Sequence, residues 1–203
     1  MKTTTSTGLW TSITVFALFS AVAGAGWTYS ADLALVHAAQ RHPTVWLDRL
    51  WGYLSVAGGW ELTSLALICV AAAMILRGHR RLGTRLIAAF LATALIEYLL
   101  KMLLPVHPIP ESLGRSEDFA PLVAISYPYP YPSGHLLRST ILLGSLCLWS
   151  GSRAVTSLVV IYLACIGYSR FYLGVHWPSD VIGGVLLGIV GLAWTFRSKK
   201  GAA

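Results

Sequence analysis

Three ionisable residues of different kinds stand close together between two apolar runs. They are Arg170, His176 and Asp180, in the stretch Ser169-Arg170-Phe171-Tyr172-Leu173-Gly174-Val175-His176-Trp177-Pro178-Ser179-Asp180. Ionisable residues at a membrane boundary are costly and tend to be functional. Pro178 suits the first position of a helix, because its ring fixes φ and its missing N–H is not needed there. Asp180 then falls in the first turn of that helix and His176 just before it, near enough for a carboxylate–imidazole contact. A carboxylate that holds one ring nitrogen leaves the other free as base or nucleophile. Arg170 carries a planar donor fork able to hold an oxyanion.

A second group opens another apolar run: Pro132-Ser133-Gly134-His135. Free N–H groups at a helix N-terminus, aided by the helix dipole, bind phosphate. Ser133 can add a hydroxyl, the N–H groups of Gly134 and His135 point the same way, and His135 is a candidate acid. The competing reading is a Ser N-cap beside an interfacial His. Lys101 follows Glu97 by four residues. That spacing allows an i,i+4 ion pair with a snorkelling Lys101, a point-charge phosphate ligand, or both at once.

The elements that must position these groups are apolar helices. Of 203 residues 56% are hydrophobic and 11% charged, against about 25% charged in soluble domains. The net charge of +7 does not point to nucleic acid, because the basic residues gather at the ends of apolar runs and form no basic face. Cys69, Cys147 and Cys165 fall inside apolar runs and read as small core residues, neither disulfides nor metal ligands. The expected architecture is all-α: a single polytopic membrane domain over residues 1–203 with six transmembrane helices, at about 9–30, 53–76, 86–104, 133–152, 154–173 and 178–196. The first run has only Lys2 as a basic n-region, so a retained helix is favoured over a cleaved signal peptide.

Trp46, Leu47, Leu50 and Trp51 are spaced as on one helix face, which predicts a short amphipathic helix at the interface within residues 31–52. Residues 105–132 are a Pro-rich loop ending Tyr127-Pro128-Tyr129-Pro130-Tyr131-Pro132, too rich in Pro for a regular helix or a central strand. That Tyr-Pro repeat is either a rigid lid or a connector. Gly184 and Gly188 read as a close helix contact.

Six spans put both termini on one side. Nine of the fifteen Lys/Arg lie on that side: Lys2, the loop 77–85, Arg153 and the tail Arg197-Ser198-Lys199-Lys200. The bias makes it cytoplasmic. All eight Asp/Glu, Glu117 and Asp118 among them, then face outward. Lys101, Ser133, His135, Arg138, Arg170, His176 and Asp180 all land at the outer ends of spans three to six, at one membrane depth.

Pro132-Ser133-Gly134-His135 followed by Ser169-Arg170-x5-His176-x3-Asp180 resembles the type-2 phosphatidic acid phosphatase superfamily of integral-membrane lipid phosphate phosphatases. Both motifs match at every defined position, and the six-span layout covers nearly the whole chain. The first motif of that family, Lys-x6-Arg-Pro, matches only in part. Lys101 is followed by Met-Leu-Leu-Pro-Val-His-Pro, so the Arg is absent and Pro108 comes one place early. Arg138, three residues after His135 on the same helix face, is the favoured substitute and is expected to reach the phosphate. Its competing reading is a structurally paired Arg. His107 and Arg115 are the other candidates.

The resemblance implies metal-independent dephosphorylation through a phosphohistidine, with no cofactor. His176 would be the nucleophile, Asp180 its orienting carboxylate and His135 the acid and then base. Lys101, Ser133, Gly134, Arg138 and Arg170 would bind the phosphate. The implied substrate is a lipid phosphate or diphosphate held in the bilayer: undecaprenyl diphosphate, phosphatidylglycerol phosphate or phosphatidic acid. The implied place is a bacterial inner membrane, with the site facing the periplasm. A phosphotransferase using the same site, and a non-catalytic lipid-binding or transport homologue, stay open. Oligomeric state is not legible.

Overall fold

The computed structural model describes residues 4–115 and 127–198. Lys2, Glu117, Asp118, Lys199 and Lys200 lie outside the described residues, so their placement rests on the sequence. Eight α-helices are described: α1 (Ser6–Gly24), α2 (Tyr29–Ala39), α3 (Val45–Ala57), α4 (Trp60–Leu76), α5 (Arg80–Leu103), α6 (Gly134–Ser150), α7 (Arg153–Tyr172) and α8 (Pro178–Thr195), with one 3-10 turn at Glu111–Leu113.

Local chemistry sets several of these boundaries. Hydroxyls cap three N-termini: Thr5 accepts from Gly8 N–H at 3.1 Å, Thr44 from Leu47 N–H at 3.2 Å and Ser152 from Val155 N–H at 3.4 Å. Gly151, at φ +65°, ends α6 in the left-handed conformation and turns the chain into α7. Pro178 occupies the first turn of α8, as its fixed φ allows.

Five stretches are long and apolar enough to cross a membrane: α1, residues 45–76 (α3 and α4 together), α5, α7 and α8. At 17 residues, α6 is about 25 Å long at 1.5 Å per residue, shorter than a hydrocarbon core of about 30 Å. α4, α5 and α7 turn Leu62, Leu65, Ile68, Leu91, Leu95, Leu158 and Ile161 outward, the apolar exterior expected of helices in lipid. α8 is the central helix: 56% of its span is buried, against 17–28% for the other four stretches. It packs on α6, α1 and α5. Its contact with α6 needs glycine. A Cβ on Gly188 would lie 2.6 Å from Cβ of Thr140, and one on Gly184 would strike the carbonyl of Ser133. The paired glycines therefore mark a close helix contact, as the sequence predicts.

Four boundaries differ from expectation. The second span, expected over 53–76, is broken at Gly58 and Gly59: α3 runs on to Ala57 and α4 starts only at Trp60. The first helix stops at Gly24 instead of running to residue 30, because Gly26 turns the chain at φ +76° into α2. The predicted interfacial helix is two helices, α2 and α3. They part at residues 40–44, where Pro43 offers no N–H and disfavours the helical conformation at His42. Leu47, Leu50 and Trp51 are half-buried on α3, whereas Trp46, expected on the same face, is 68% exposed. α5 starts at Arg80, well before residue 86, carrying Arg80, Arg81 and Arg85 on its first turns.

The described ends of the chain meet. Thr4 N–H donates to the carbonyl of Phe196 at 3.1 Å, Ser198 N–H to the carbonyl of Thr4 at 2.9 Å, and the Thr4 hydroxyl to the carbonyl of Ala193 at 2.7 Å. That end also holds Arg80, Arg81, Arg85 and Arg197. A core of Leu67, Leu86, Leu137, Ile141, Leu187 and Phe196 fills the bundle. A second cluster, around Val36, Val106, Tyr131 and Trp177, seals the opposite end.

Candidate active site

His176 is held by a tight turn at the end of α7. The N–H groups of Val175 and His176 both donate to the carbonyl of Arg170, at 3.1 and 3.3 Å, and Gly174 makes the turn at φ +66°. A Cβ on Gly174 would collide with the backbone carbonyl of Leu113, so the outer loop presses directly on this turn. The chain then enters α8. Oδ2 of Asp180 accepts Trp177 N–H at 2.8 Å and lies 3.3 Å from Nδ1 of His176. With the proton on Nδ1, Nε2 keeps its lone pair. Asp180 is fully buried and His176 is 7% exposed. Burial holds the His176 imidazole well below its ordinary 6.5, and the cations Lys101 and Arg170 add to the effect, followed by His135 and Arg138. The ring is therefore neutral, as a nucleophile must be.

The head of α6 faces this unit. Ser133 N–H donates to the carbonyl of Asp180 at 2.9 Å, which ties the start of α6 to the start of α8. The Ser133 side chain does not cap α6; its hydroxyl is buried and has no hydrogen-bond partner. The N-cap reading of Ser133 is thus not realised. A buried hydroxyl without a partner is costly. Nε of Arg138 and Nε of Arg170 are orphaned in the same way.

Three cations converge on one cavity from three helices. Lys101, on the last turn of α5, is 7% exposed. It does not snorkel outward. Its Nζ lies 3.8 Å from Oε1 of Glu97, 3.5 Å from the carbonyl of Pro130 and 4.8 Å from the centre of the Tyr127 ring. Arg138 reaches from α6, with Nη1 2.8 Å from Oε2 of Glu97. Arg170 reaches from α7 and donates through Nη1 to Oγ of Ser55 on α3. Lys101, Gly134, His135, Arg138, Arg170 and His176 all line a cavity of about 560 Å³. Ser133 and Asp180 stand behind the wall, fully buried.

Of the three candidates for the missing Arg, Arg138 alone lines this cavity. It is paired with Glu97 and also lines the cavity. The His107 carbonyl accepts the indole N–H of Trp177 at 2.7 Å, and its ring lies 4.4 Å from that of Tyr29. Arg115 makes a two-pronged ion pair with Asp48, at 2.8 and 2.7 Å.

The sequence missed several contributors. Ser55 has no local signature. Tyr127, Pro128, Tyr129 and Pro130 form one wall of the cavity, and Tyr129 N–H donates to the carbonyl of Lys101 at 3.2 Å. Asp32 grips Ser179 through both carboxylate oxygens, at 2.8 and 2.7 Å. A lone acid in the apolar stretch 31–36 was the available signal. The charged groups lining the cavity are three cations and one carboxylate, Glu97, which faces both Lys101 and Arg138; the surplus of positive charge suits an oxyanion.

The sequence profile of the PAP2 superfamily matches residues 82–202, more than half of the chain, with Lys101, Gly134, His135, Arg138, Arg170 and His176 inside the match. The chain belongs to the PAP2 superfamily. Among PAP2 relatives, it is 45% identical over 65 residues to a putative undecaprenyl-diphosphatase of Escherichia coli (strain K12), a match that spans 30% of either protein. It is 28% identical over 171 residues to phosphatidylglycerophosphatase B of Bacillus subtilis (strain 168), across 79% of each. Its fold is similar to the crystal structure of a transmembrane PAP2-type phosphatidylglycerolphosphate phosphatase from Bacillus subtilis, with a TM-score of 0.66 and 24% identity over 90% of this chain and 91% of that one. The chain is therefore a helical membrane protein of the PAP2 fold.

Proposed function

We propose that this PAP2 protein hydrolyses a phosphate or diphosphate on a membrane lipid, through a phosphohistidine on His176. The observation that carries the reading is the His176–Asp180 contact of 3.3 Å at the edge of a cavity walled by Lys101, Arg138 and Arg170. The names of the relatives point to undecaprenyl diphosphate or phosphatidylglycerol phosphate, and phosphatidic acid is the third candidate that the sequence motifs imply.

In the first step, the Nε2 lone pair of His176 attacks phosphorus, and the bond from phosphorus to the leaving oxygen breaks. His135 gives that oxygen a proton. The Nδ1 proton stays on the ring, and Asp180 stabilises the resulting positive charge. Lys101, Arg138, Arg170, the Ser133 hydroxyl and the first N–H groups of α6 neutralise the equatorial oxygens. Preorganised charge of this kind is the main lever in phosphoryl transfer. In the second step, His135 takes a proton from water, the water oxygen attacks phosphorus, and the P–N bond breaks to restore neutral His176.

The domain is a single unit over residues 1–203 with six crossings, α6 being the sixth, and both termini cytoplasmic. The meeting of Thr4 with Phe196 supports an even number of crossings. Arg80, Arg81, Arg85 and Arg197 at that end support its cytoplasmic placement. The cavity then opens at the outer headgroup level.

The test is phosphate release by detergent-purified protein from the three lipids, with EDTA present and His176→Ala in parallel. Release that survives EDTA and disappears in the variant is expected. Release from none of the lipids, or release indifferent to His176, would overturn the reading.

A further inference from the structure

Ser179 stands between Pro178 and Asp180 at the head of α8, and another helix holds it there. Its N–H donates to Oδ1 of Asp32 at 2.8 Å and its hydroxyl to Oδ2 at 2.7 Å. Both residues are buried, Asp32 at 4% and Ser179 at 2% exposure. Asp32 sits in the first turn of α2, which packs on α7 and α8. It does not line the cavity.

A buried carboxylate is costly unless hydrogen bonds or a counter-charge compensate it. Among the described residues, no basic side chain forms an ion pair with Asp32. Its compensation comes from the two Ser179 donors and the positive end of the α8 dipole. The energetic benefit of that arrangement therefore depends on the head of α8 staying where it is.

That turn is tied on three sides. α6 holds it through Ser133 N–H and the Asp180 carbonyl, and the outer loop holds it through the His107 carbonyl and the Trp177 indole. α2 holds it through Asp32, whose two carboxylate oxygens both face Ser179. The same turn carries Asp180, which meets both Trp177 N–H and Nδ1 of His176. A rotation of the turn would carry Oδ2 away from the ring.

We propose that Asp32 is a positioning residue for the nucleophile. By gripping Ser179, it sets the depth and rotation of the head of α8 and, through Asp180, aims the His176 ring at the cavity. This inference rests on the phosphohistidine reading.

Asp32→Asn, Asp32→Ala and Ser179→Ala separate position from charge and from folding. An amide keeps both contacts, since its carbonyl accepts the N–H and its NH2 donates to the hydroxyl oxygen. With the best lipid substrate, Asp32→Ala is expected to lower kcat by about 100-fold at nearly unchanged KM, since a misplacement of ~1 Å costs on that order. Asp32→Asn should recover most of the loss, and Ser179→Ala, which keeps the N–H contact, should fall between them. Tm and folded fraction are measured for each variant.

A wild-type kcat per folded Asp32→Ala molecule would overturn the proposal, as would Asp32→Asn as slow as Asp32→Ala. If Asp32→Ala does not fold, full kcat in Ser179→Ala beside a slow Asp32→Asn would overturn it. An inactive wild type, or an active His176→Ala, would instead defeat the phosphohistidine reading and the proposal with it. An active wild type, a dead His176→Ala and an unaffected Asp32→Ala would sink this inference alone.

Discussion

Oε2 of Glu97 on α5 lies 2.8 Å from Nη1 of Arg138 on α6, and the two side chains are only 9% and 14% exposed. Glu97 also faces Lys101, so one carboxylate braces two of the three cations of the cavity. Removing one partner of a buried pair leaves the other charge uncompensated. Glu97→Ala is expected to cost about 3 kcal/mol of stability. Glu97→Ala with Arg138→Ala should cost less than the two separate losses added together, because one of the two stranded cations is gone. Thermal unfolding in detergent measures this cycle. Turnover tells a different story: Arg138→Ala should stay slow with or without Glu97, since the phosphate has lost a ligand.

The three candidates for the missing cation can be ranked by substitution. Arg115 pairs with Asp48 at half-buried positions away from the cavity, with side chains 28% and 22% exposed. Arg115→Ala should cost about 1 kcal/mol or less and leave kcat/KM essentially unchanged. Arg138→Ala should reduce kcat/KM severely in the same assay. The reverse ranking would move the phosphate cradle to the outer loop.

His135 can be tested through the leaving group. A lipid alkoxide needs a proton as it leaves, whereas p-nitrophenolate does not. His135→Ala should lose about 100-fold or more on a lipid monophosphate but still transfer phosphate from p-nitrophenyl phosphate to His176. Acid-stable and acid-labile phosphoryl adducts separate on quenching, and an acid-labile adduct should accumulate in the variant. Equal losses in the rate of adduct formation from both substrates would remove His135 from the role of acid.

Gly174 and Gly151 both adopt positive φ, at +66° and +65°, but only Gly174 is crowded. A Cβ there would strike the Leu113 carbonyl, while nothing lies within 4 Å of a Cβ on Gly151. Gly151→Ala should therefore cost only the left-handed penalty of about 1 kcal/mol. Gly174→Ala must in addition displace backbone beside His176, so it should lose both stability and activity. Paired measurements of Tm and kcat decide this.

The depressed pKa of His176 links stability to pH. In the unfolded chain the imidazole takes a proton as pH falls through its ordinary 6.5; in the folded protein, burial and the neighbouring cations keep it neutral to lower pH. The unfolded state then binds more protons, so this contribution to stability is present above 6.5 and is lost as pH drops below it. Wild-type Tm should fall between pH 7.5 and 5.5 more than the Tm of His176→Asn does. Parallel curves for the two proteins would show that the ring is not held neutral.

Sequence alone determined the local chemistry and the class of the molecule. Apolar runs of helical length dictate an α-helical membrane protein, because only internally bonded backbone is stable in lipid. Pro178 and Asp180 place a helix head beside His176, and four residues between Glu97 and Lys101 put those side chains on one face; both are short-range consequences of backbone geometry. The motifs around Ser133-Gly134-His135 and Arg170-x5-His176-x3-Asp180 were legible for the same reason. Tertiary structure decided what lies between helices. It placed Arg138, and neither His107 nor Arg115, on the cavity wall, turned Lys101 inward, made the Tyr-Pro repeat a cavity wall and split the segment 31–52 into α2 and α3. It also brought Asp32 to Ser179, 147 positions away. No pattern along the chain encodes that pairing, because it depends on how α2 and α8 pack, and packing is settled by the shapes of whole helix faces.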